Sequence, residues 1–348
     1  MIMTKKVFVA MSGGVDSSVA AAILKDKGFD VVGVNFLLFD GADSTDDAKK
    51  VCDHLGIELK ILDLRKTFKE EIINYFALEY ENGRTPNPCV MCNKKIKFGA
   101  FYDFAMQNGA DFIASGHYAK IEEKNGEYFL KKAENLAKDQ SYVLYNLNQE
   151  ILSKAMFPIA EFSKEEIRKI ANDKKIPVAN KPDSQDICFI PDGDYISFLK
   201  ETCGLKDKEG IFVDDNGEKI GVHKGSFNFT IGQRKGLGVT FGKPMFVTEI
   251  NAQKNEVTLS PAGGEYFKSL DAIDVNFISG CVPTGKISCL CKTRYSAKPV
   301  LAELIMTGEN EASVIFSESV RAVTSGQSVA FYDEDILLGG GVIISAER

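Results

Sequence analysis

Residues 10–18 read Ala-Met-Ser-Gly-Gly-Val-Asp-Ser-Ser, and this stretch decides how the first part of the chain folds. The apolar run Val7–Val9 before it is typical of a buried parallel strand. After it, apolar residues recur at helical spacing until Gly28, which indicates a helix end. A strand, a glycine turn and a helix in this order place backbone amides and serine hydroxyls around an anion at the helix N-terminus. The sequence therefore predicts a phosphate-binding loop.

The type of phosphate loop follows from its pattern. The Gly-Lys-Ser/Thr ending of the Walker loop is absent, and so is the Gly-x-Gly-x-x-Gly pattern of dinucleotide-binding folds. Ser-Gly-Gly-x-Asp-Ser over residues 12–17 resembles the loop of enzymes that cleave ATP between its α- and β-phosphates and release pyrophosphate. A glycine–serine turn without a ligand is the alternative, and the register of strand, loop and helix argues against it.

The first 120 residues alternate between strand patterns and helix patterns. After the first strand, further strands are predicted over residues 30–36, 58–62 and 110–115. Alternation of this kind predicts an α/β fold with a doubly wound parallel sheet. Ligands of such sheets bind at the carboxyl ends of the strands. Residues 10–18, Phe36 and Gly116 all lie at predicted carboxyl ends, so we expect them to surround one ligand.

Composition bounds the class of protein. A chain of 348 residues, 44% hydrophobic and 26% charged, is long enough for two or three domains with separate cores. No apolar run approaches the roughly 20 residues of a membrane span, and the N-terminus has no signal-peptide pattern. We therefore expect a cytoplasmic protein with no membrane partner. There the eight cysteines should be thiols, metal ligands or redox groups rather than structural disulfides.

Charge argues weakly against a nucleic-acid partner, because the formal net charge is −7. A local patch can nevertheless be hidden in a net value. The segment Arg84–Ala100 contains four basic residues and no acidic one, which predicts local electrostatic binding of a polyanion. A solvated helix face is the plainer interpretation of the same run.

Two cysteines stand out by their surroundings. A helix is predicted to begin near Asn93, because the prolines before it disfavour helix. Cys92 would then lie at a helix N-terminus beside lysines, a setting that lowers the pKa of a thiol. Half of a zinc site, formed by Cys89 and Cys92, is the alternative, but no second Cys-x-x-C or close histidine pair completes it. Cys188 follows in a loop-like segment, and on its own it would be read as a buried cysteine. Paired with Cys92, it becomes a candidate for persulfide or disulfide chemistry.

The pattern changes near Cys203, where short strands separated by turns begin. Their spacing predicts antiparallel sheets and a small barrel. We therefore predict an ATP-pyrophosphatase domain over residues 1–202, a central β-rich domain over residues 203–266 and a C-terminal β-barrel over residues 267–348.

Six further motifs spread over nearly the whole chain carry a resemblance to one family. They are Asn-Pro-Cys-Val-Met-Cys-Asn-Lys (87–94), Ser-Gly-His-Tyr (115–118), Lys-Asp-Gln-Ser-Tyr (138–142), Asp-Ser-Gln-Asp-Ile-Cys-Phe (183–189), Phe-Thr-Ile-Gly-Gln-Arg-Lys-Gly-Leu-Gly (229–238) and Ala-Val-Thr-Ser-Gly-Gln-Ser-Val (322–329). With the ATP loop, they make the sequence resemble the tRNA-specific 2-thiouridylases. This family replaces the carbon-2 oxygen of the wobble uridine, position 34 of the tRNA, by sulfur.

The resemblance implies a role for each matched residue. ATP, with Mg²⁺, is expected at Ala10, Met11, Ser12, Gly13, Gly14, Val15, Asp16, Ser17, Phe36 and Gly116. Cys92 is implied as the nucleophile and Cys188 as the persulfide carrier. The target base is expected beside Asn87, Pro88 and Cys89. Contacts with tRNA are expected from His117, Lys138, Asp139, Gln140, Arg294, Tyr295 and Gln327.

The implied reaction explains why these parts occur together. Adenylation turns the uracil oxygen into a leaving group, so that sulfur from a persulfide can replace it with release of AMP and pyrophosphate. The implied partners are the tRNAs for lysine, glutamate and glutamine, with a cysteine desulfurase or a sulfur-relay protein as donor. The chain departs from the family at Cys89, where an acidic residue is frequent, and at Ser296, where a second arginine usually follows the tyrosine.

Three alternatives stay open. An iron–sulfur cluster on Cys89, Cys92 and Cys188, with one iron left open, would deliver sulfur without a persulfide. Another ATP pyrophosphatase, such as an amidotransferase-type synthetase, would act on a small molecule and would need a glutaminase domain that is not evident. A nucleotide-binding regulator on the same fold would have no use for the cysteine pair and the two β domains.

Overall fold

The N-terminal part of the chain forms a parallel sheet, as predicted. A computed structural model describes residues 4–41, 44–182 and 187–348. The strands of the first sheet are β1 (Lys6–Ala10), β2 (Asp30–Leu37), β3 (Glu58–Asp63), β4 (Phe112–Ala114) and β7 (Ala155–Met156). They pair in parallel in the order β3-β2-β1-β4-β7. The order reverses between β1 and β4, and a ligand is expected outside the carboxyl ends of strands at such a reversal.

Helices pack on both faces of this sheet. The described α-helices are α1 (Val15–Asp26), α2 (Ser44–Leu55), α3 (Arg65–Phe68), α4 (Asn74–Glu81), α5 (Pro88–Cys92), α6 (Phe101–Gln107), α7 (Gln149–Lys154), α8 (Lys164–Asp173) and α9 (Tyr195–Glu201). Side chains along β1 alternate between the two faces. Val7 and Val9 lie in the apolar cluster that contains α1 and α8, whereas Phe8 lies in the opposite cluster with Phe101. Burial on both faces confirms the doubly wound α/β fold.

The segment with Cys92 is helical earlier than we predicted. The helix begins at Pro88, and α5 continues through a π-helical stretch, Asn93–Ala100, into α6. Proline is tolerated in the first turn, where its missing N–H has no helical partner. The Asn87 side chain caps this helix by accepting a hydrogen bond from the backbone N–H of Val90 at 3.4 Å. Cys92 therefore lies one turn inside a helix and not at its N-terminus.

Two β units follow. The first is the four-stranded sheet β10-β11-β8-β9, with strands β8 (Gly210–Val213), β9 (Lys219–His223), β10 (Met245–Asn251) and β11 (Glu256–Pro261). The pairing of β8 with β11 is parallel, so the expectation of purely antiparallel sheets is wrong at this pair. The barrel strands are β12 (Tyr266–Phe277), β13 (Lys286–Lys292), β14 (Val300–Met306), β15 (Ala312–Arg321), β16 (Ser328–Asp333) and β17 (Ile336–Glu347). Pairing of β12 with β17 closes them into a six-stranded barrel.

A hairpin from the first domain is attached to the barrel. It consists of β5 (Ala119–Lys124) and β6 (Glu127–Lys132), joined by Asn125 and Gly126, both with positive φ. Strand β6 pairs with β17, which extends the barrel sheet by two strands. Within the described residues, no helix is long and apolar enough to cross a membrane.

The barrel also fastens the start of the basic segment. The backbone N–H of Thr85 donates to the carbonyl of Ser325 at 2.8 Å. Gln327 donates from Nε2 to the carbonyls of Thr85 at 2.8 Å and Pro86 at 3.1 Å. Arg84 forms an ion pair with the buried Glu79. The loop before α5 is therefore fixed from both sides.

We expect Gly326→Ala to loosen this junction. Gly326 has φ +88°, and a Cβ there would lie 2.9 Å from the backbone nitrogen of Thr85. The matched control is Gly280→Ala, because Gly280 has φ +74° but open space around it. Urea unfolding should show Gly326→Ala to be less stable than the control by about 2 kcal/mol, the typical cost of overpacking. Equal stabilities would mean that the junction contributes nothing.

Candidate active site

The predicted phosphate loop lies between β1 and α1 and is held by its own hydroxyls. The Oγ atoms of Ser12 and Ser17 lie 3.1 Å apart, and Ser18 donates to the carbonyl of Gly14 at 2.7 Å. Gly13 has φ +70°, and a Cβ there would lie 2.8 Å from the carbonyl oxygen of Ser44. Glycine is therefore required at this position both for backbone conformation and for close packing.

The end of β4 packs directly against this loop. A Cβ on Gly116 would lie 2.8 Å from the backbone nitrogen of Ser17 and 2.9 Å from the carbonyl carbon of Asp16. The sequence placed Gly116 and the loop at the same edge of the sheet, and the structure brings them into contact. Phe36 lies near the end of β2 with its ring centroid 5.1 Å from that of Phe101.

Two lysines that the sequence analysis missed flank the loop. Lys164 donates to Oδ1 of Asp16 at 2.7 Å. Lys181 donates to the carbonyl of Gly13 at 3.1 Å and to Oδ2 of Asp47 at 2.7 Å. The hydrogen bond from Lys181 is the main cause that lowers the pKa of the Asp47 carboxyl. Cations beside a row of loop amides suit a polyphosphate.

Asn35 is a further residue that the sequence analysis missed. It is buried and connects the loop to α2. Its Nδ2 donates to the carbonyl of Met11 at 2.8 Å and lies 3.2 Å from Oγ of Ser44, while its Oδ1 accepts from Thr45. The sequence around Asn35 reads as an ordinary strand and does not indicate a role at the loop. Only the fold shows that the Asn35 side chain faces the loop.

Cys92 and Cys188 are brought together by one apolar cluster. Phe189 is buried with its ring centroid 5.6 Å from Phe68 and 5.5 Å from Phe76, and this packing anchors the neighbouring Cys188. Cys92 packs partly buried against the same cluster. Cys188 is exposed at its surface and lies within electrostatic range of Cys92 and Cys89. The structure therefore places these two positions, which are distant in sequence, near each other.

The thiols are not activated in this arrangement, contrary to the prediction for Cys92. Although each side chain partly reaches solvent, the surrounding protein removes water from around the sulfur, and this desolvation raises the pKa of Cys89 and Cys92. Desolvation and the neighbouring thiols raise the pKa of Cys188 to about 12. Lys97 is the cation that opposes these shifts.

Lys97 connects the thiols to the phosphate loop. Its Nζ lies 3.4 Å from Nε2 of His117, the residue after Gly116. His117 is buried, its Nδ1 lies 2.7 Å from Oγ of Ser115, and burial followed by Lys97 holds the imidazole pKa well below its usual value. A neutral His117 adds no second positive charge beside Lys97, and Lys97 is the cation that acts to lower the pKa of the thiols.

The three cysteines do not form a ready-made site for a metal ion in the described part of the chain. Within residues 4–41, 44–182 and 187–348, no group of three or more histidine, cysteine, aspartate or glutamate side chains is placed to hold a metal ion. Cys89, Cys92 and Cys188 are near one another without forming a ligand set.

Comparison with known proteins identifies the family. Family models match as a tRNA methyl transferase HUP domain over residues 5–192, a tRNA methyl transferase PRC-barrel domain over 196–261 and an aminomethyltransferase β-barrel domain over 267–343. The tRNA-specific 2-thiouridylase of Clostridioides difficile is 48% identical to this chain, and the alignment covers 99% of each protein. The chain belongs to the tRNA-specific 2-thiouridylase family. The family member of Caldicellulosiruptor saccharolyticus is 46% identical, again with 99% of both chains covered.

The residues expected to bind tRNA in this 2-thiouridylase fold fall into three places. His117 lies buried next to the ATP loop, as described above. Gln327 lies at the barrel junction, beside the segment that precedes Asn87. Tyr142, at the end of the 138–142 motif, contacts Tyr295 with ring centroids 6.3 Å apart, and it lies within electrostatic range of Arg294.

Within that third place, side chains have unequal freedom to bind RNA. Tyr295 is 44% exposed, with Nζ of Lys292 lying 5.4 Å from its ring centroid. Asp139 is buried and accepts hydrogen bonds from the backbone of Ala133 and from Ser141, which is the pattern of a turn-forming residue. Gln140 accepts a hydrogen bond from the backbone of Tyr118. Contact with tRNA stays a prediction for all of these residues.

Most cations of the basic segment already have partners. Arg84 pairs with Glu79, Lys95 lies 3.1 Å from Glu71, and Lys97 lies beside His117. Lys94 is exposed. Two of the four positive charges of this run are thus paired with glutamates that precede them in the chain.

We expect the pH dependence of alkylation to report the raised pKa of Cys188. Because only the thiolate reacts, iodoacetamide should modify Cys188 at a rate that rises through pH 10 without a plateau. Mass spectrometry of the Cys188 peptide measures the rate, and urea-unfolded protein, where the rate should level off above about pH 8.5, is the control. Lys97→Met should slow the reaction at each pH. A plateau near pH 9 in the folded protein would contradict this account.

Proposed function

We propose that this chain is an ATP-dependent, AMP-forming tRNA-uridine 2-sulfurtransferase. One geometric observation supports the proposal most strongly. Gly116 packs on the phosphate loop, its neighbour His117 lies 3.4 Å from Lys97, and Lys97 acts electrostatically on all three thiols. Phosphate chemistry and sulfur chemistry are thereby adjacent, as adenylation followed by sulfur transfer requires.

The phosphate side would adenylate the carbon-2 oxygen of uridine 34. Residues 10–17 and Gly116 would hold ATP, with the loop amides directed at the phosphates. Mg²⁺ is expected to bind mainly through phosphate oxygens, since the nearby carboxylates of Asp16 and Asp47 already pair with lysines. Pyrophosphate leaves in this step, and AMP becomes the leaving group of the next.

The sulfur side would use Cys188 as the persulfide carrier and Cys92 as the nucleophile. The Cys92 thiolate attacks the inner sulfur of the Cys188 persulfide, a disulfide between the two cysteines forms, and hydrosulfide is released. Hydrosulfide attacks carbon 2 of the adenylated base and AMP departs. The raised pKa values mean that Cys92 must lose a proton before this step, which Lys97 favours.

The tRNA must present its base to the segment formed by Asn87, Pro88 and Cys89. An anticodon-loop base leaves its stack at a cost of a few kcal/mol, less than in a duplex. We propose the tRNAs for lysine, glutamate and glutamine as substrates and a cysteine desulfurase or sulfur-relay protein as donor. The names of the relatives support tRNA thiolation over a small-molecule ATP pyrophosphatase. The adjacent thiols support sulfur transfer over the methyl transfer in the family-model descriptions.

We expect Cys188→Ser to separate the two half-reactions. With unmodified tRNA, ATP, Mg²⁺, a cysteine desulfurase and cysteine, the variant should release pyrophosphate in a tRNA-dependent manner but form no 2-thiouridine. Nucleoside analysis and a pyrophosphate assay measure the two products. Cys281→Ser, which also removes an exposed thiol, is the matched control and should form both. Wild-type amounts of 2-thiouridine from Cys188→Ser would overturn the persulfide role.

A further inference from the structure

Cys89 is a third thiol for which the two-cysteine reaction has no use. It lies in α5 one helical turn before Cys92, on the same face of the helix. Residues three apart in an α-helix have Cα atoms roughly 5 Å apart, from the helical rise and radius. Disulfides need Cα atoms roughly 4.4–6.8 Å apart, so these two cysteines can be bridged without unfolding the helix.

Cys89 also has the right access. It is exposed, whereas Cys92 is partly buried, and both act electrostatically on Cys188. A disulfide between Cys92 and Cys188 would hold its Cys92 sulfur partly buried, where an external reductant reaches it less easily than it reaches an exposed side chain. Cys89 lies one helical turn from Cys92, and its side chain is exposed.

We propose that Cys89 resolves the Cys92–Cys188 disulfide by exchange within the site. This inference rests on the proposed function. The Cys89 thiolate attacks the sulfur of Cys92, the Cys92–Cys188 bond breaks, a Cys89–Cys92 bond forms, and Cys188 leaves as a thiolate. The proton lost by Cys89 ends on Cys188, so atoms, charge and electrons balance without an added oxidant. The oxidising equivalent came from the persulfide.

Proton transfer is part of this exchange. A thiolate of high pKa is a poor leaving group, and the resting pKa of Cys188 is about 12. Cleavage must therefore be accompanied by protonation of Cys188. Lys97 meanwhile favours ionisation of the attacking Cys89.

The exchange would free Cys188 before any reductant arrives. Cys188 could accept the next sulfur atom from the donor at once, while the Cys89–Cys92 disulfide remains to be reduced. A dithiol reductant or two small thiols would then attack the exposed Cys89 sulfur and return both cysteines to thiols. Sulfur loading and reduction would thus occur at different residues.

Disulfide mapping after one turnover tests this proposal. Enzyme loaded with persulfide by a cysteine desulfurase is freed of small thiols, given tRNA and ATP, quenched with acid and alkylated. Wild type and Cys281→Ser should contain a Cys89–Cys92 disulfide and an alkylated Cys188, in proportion to the 2-thiouridine formed. In Cys89→Ser the disulfide formed should remain Cys92–Cys188.

The outcomes test the disulfide exchange and the proposed function separately. If wild type forms 2-thiouridine and contains a Cys92–Cys188 disulfide but no Cys89–Cys92 disulfide, the exchange is wrong. The proposed function would not be affected by that result. Formation of 2-thiouridine without any disulfide would also overturn the exchange. Absence of 2-thiouridine from wild type would instead contradict the proposed function. The wild-type and Cys281→Ser results decide the matter even if Cys89→Ser proves inactive.

Discussion

The structure depends on the close approach of Gly116 to the start of α1. A side chain there would lie 2.8 Å from the backbone nitrogen of Ser17, so glycine alone lets β4 end against the phosphate loop. The next residue, His117, is then buried next to Lys97, which lies on the helical segment after the cysteines. A single backbone contact thus sets the distance between the phosphate loop and the thiols.

The C-terminal barrel helps to position the site through hydrogen bonds to the loop before α5. Gln327 and Ser325 bind the backbone of Thr85 and Pro86 and so position the loop that leads to the Asn87 cap and α5. The hairpin β5–β6, which follows Gly116 and His117 directly, pairs with β17 of the same barrel. Movement of the barrel, for instance when tRNA binds, would therefore act on both the target-base segment and the end of β4.

Features that local sequence pattern determines could be predicted, whereas features that distant residues determine could not. Alternating strands and helices and the loop over residues 10–18 between the first strand and helix are local, and the structure confirms their positions. The helix start at Pro88 was missed because proline was weighed as a helix breaker and not as a first-turn residue. The predicted lowering of the Cys92 pKa was wrong. The neighbouring lysines in the sequence indicated a lowered pKa, whereas burial, which only the fold shows, raises it. Lys164 and Lys181 were missed since their partners lie more than 130 residues away.

The central claim is that the phosphate loop and the thiols serve one reaction, and stoichiometry tests it most directly. Wild-type protein is supplied with radiolabelled ATP, unmodified tRNA, a cysteine desulfurase and cysteine, and AMP and 2-thiouridine are counted together over the reaction. The account predicts one AMP for each 2-thiouridine, with no AMP above background when tRNA is omitted. Formation of 2-thiouridine without AMP, or release of ADP and phosphate in its place, would contradict it.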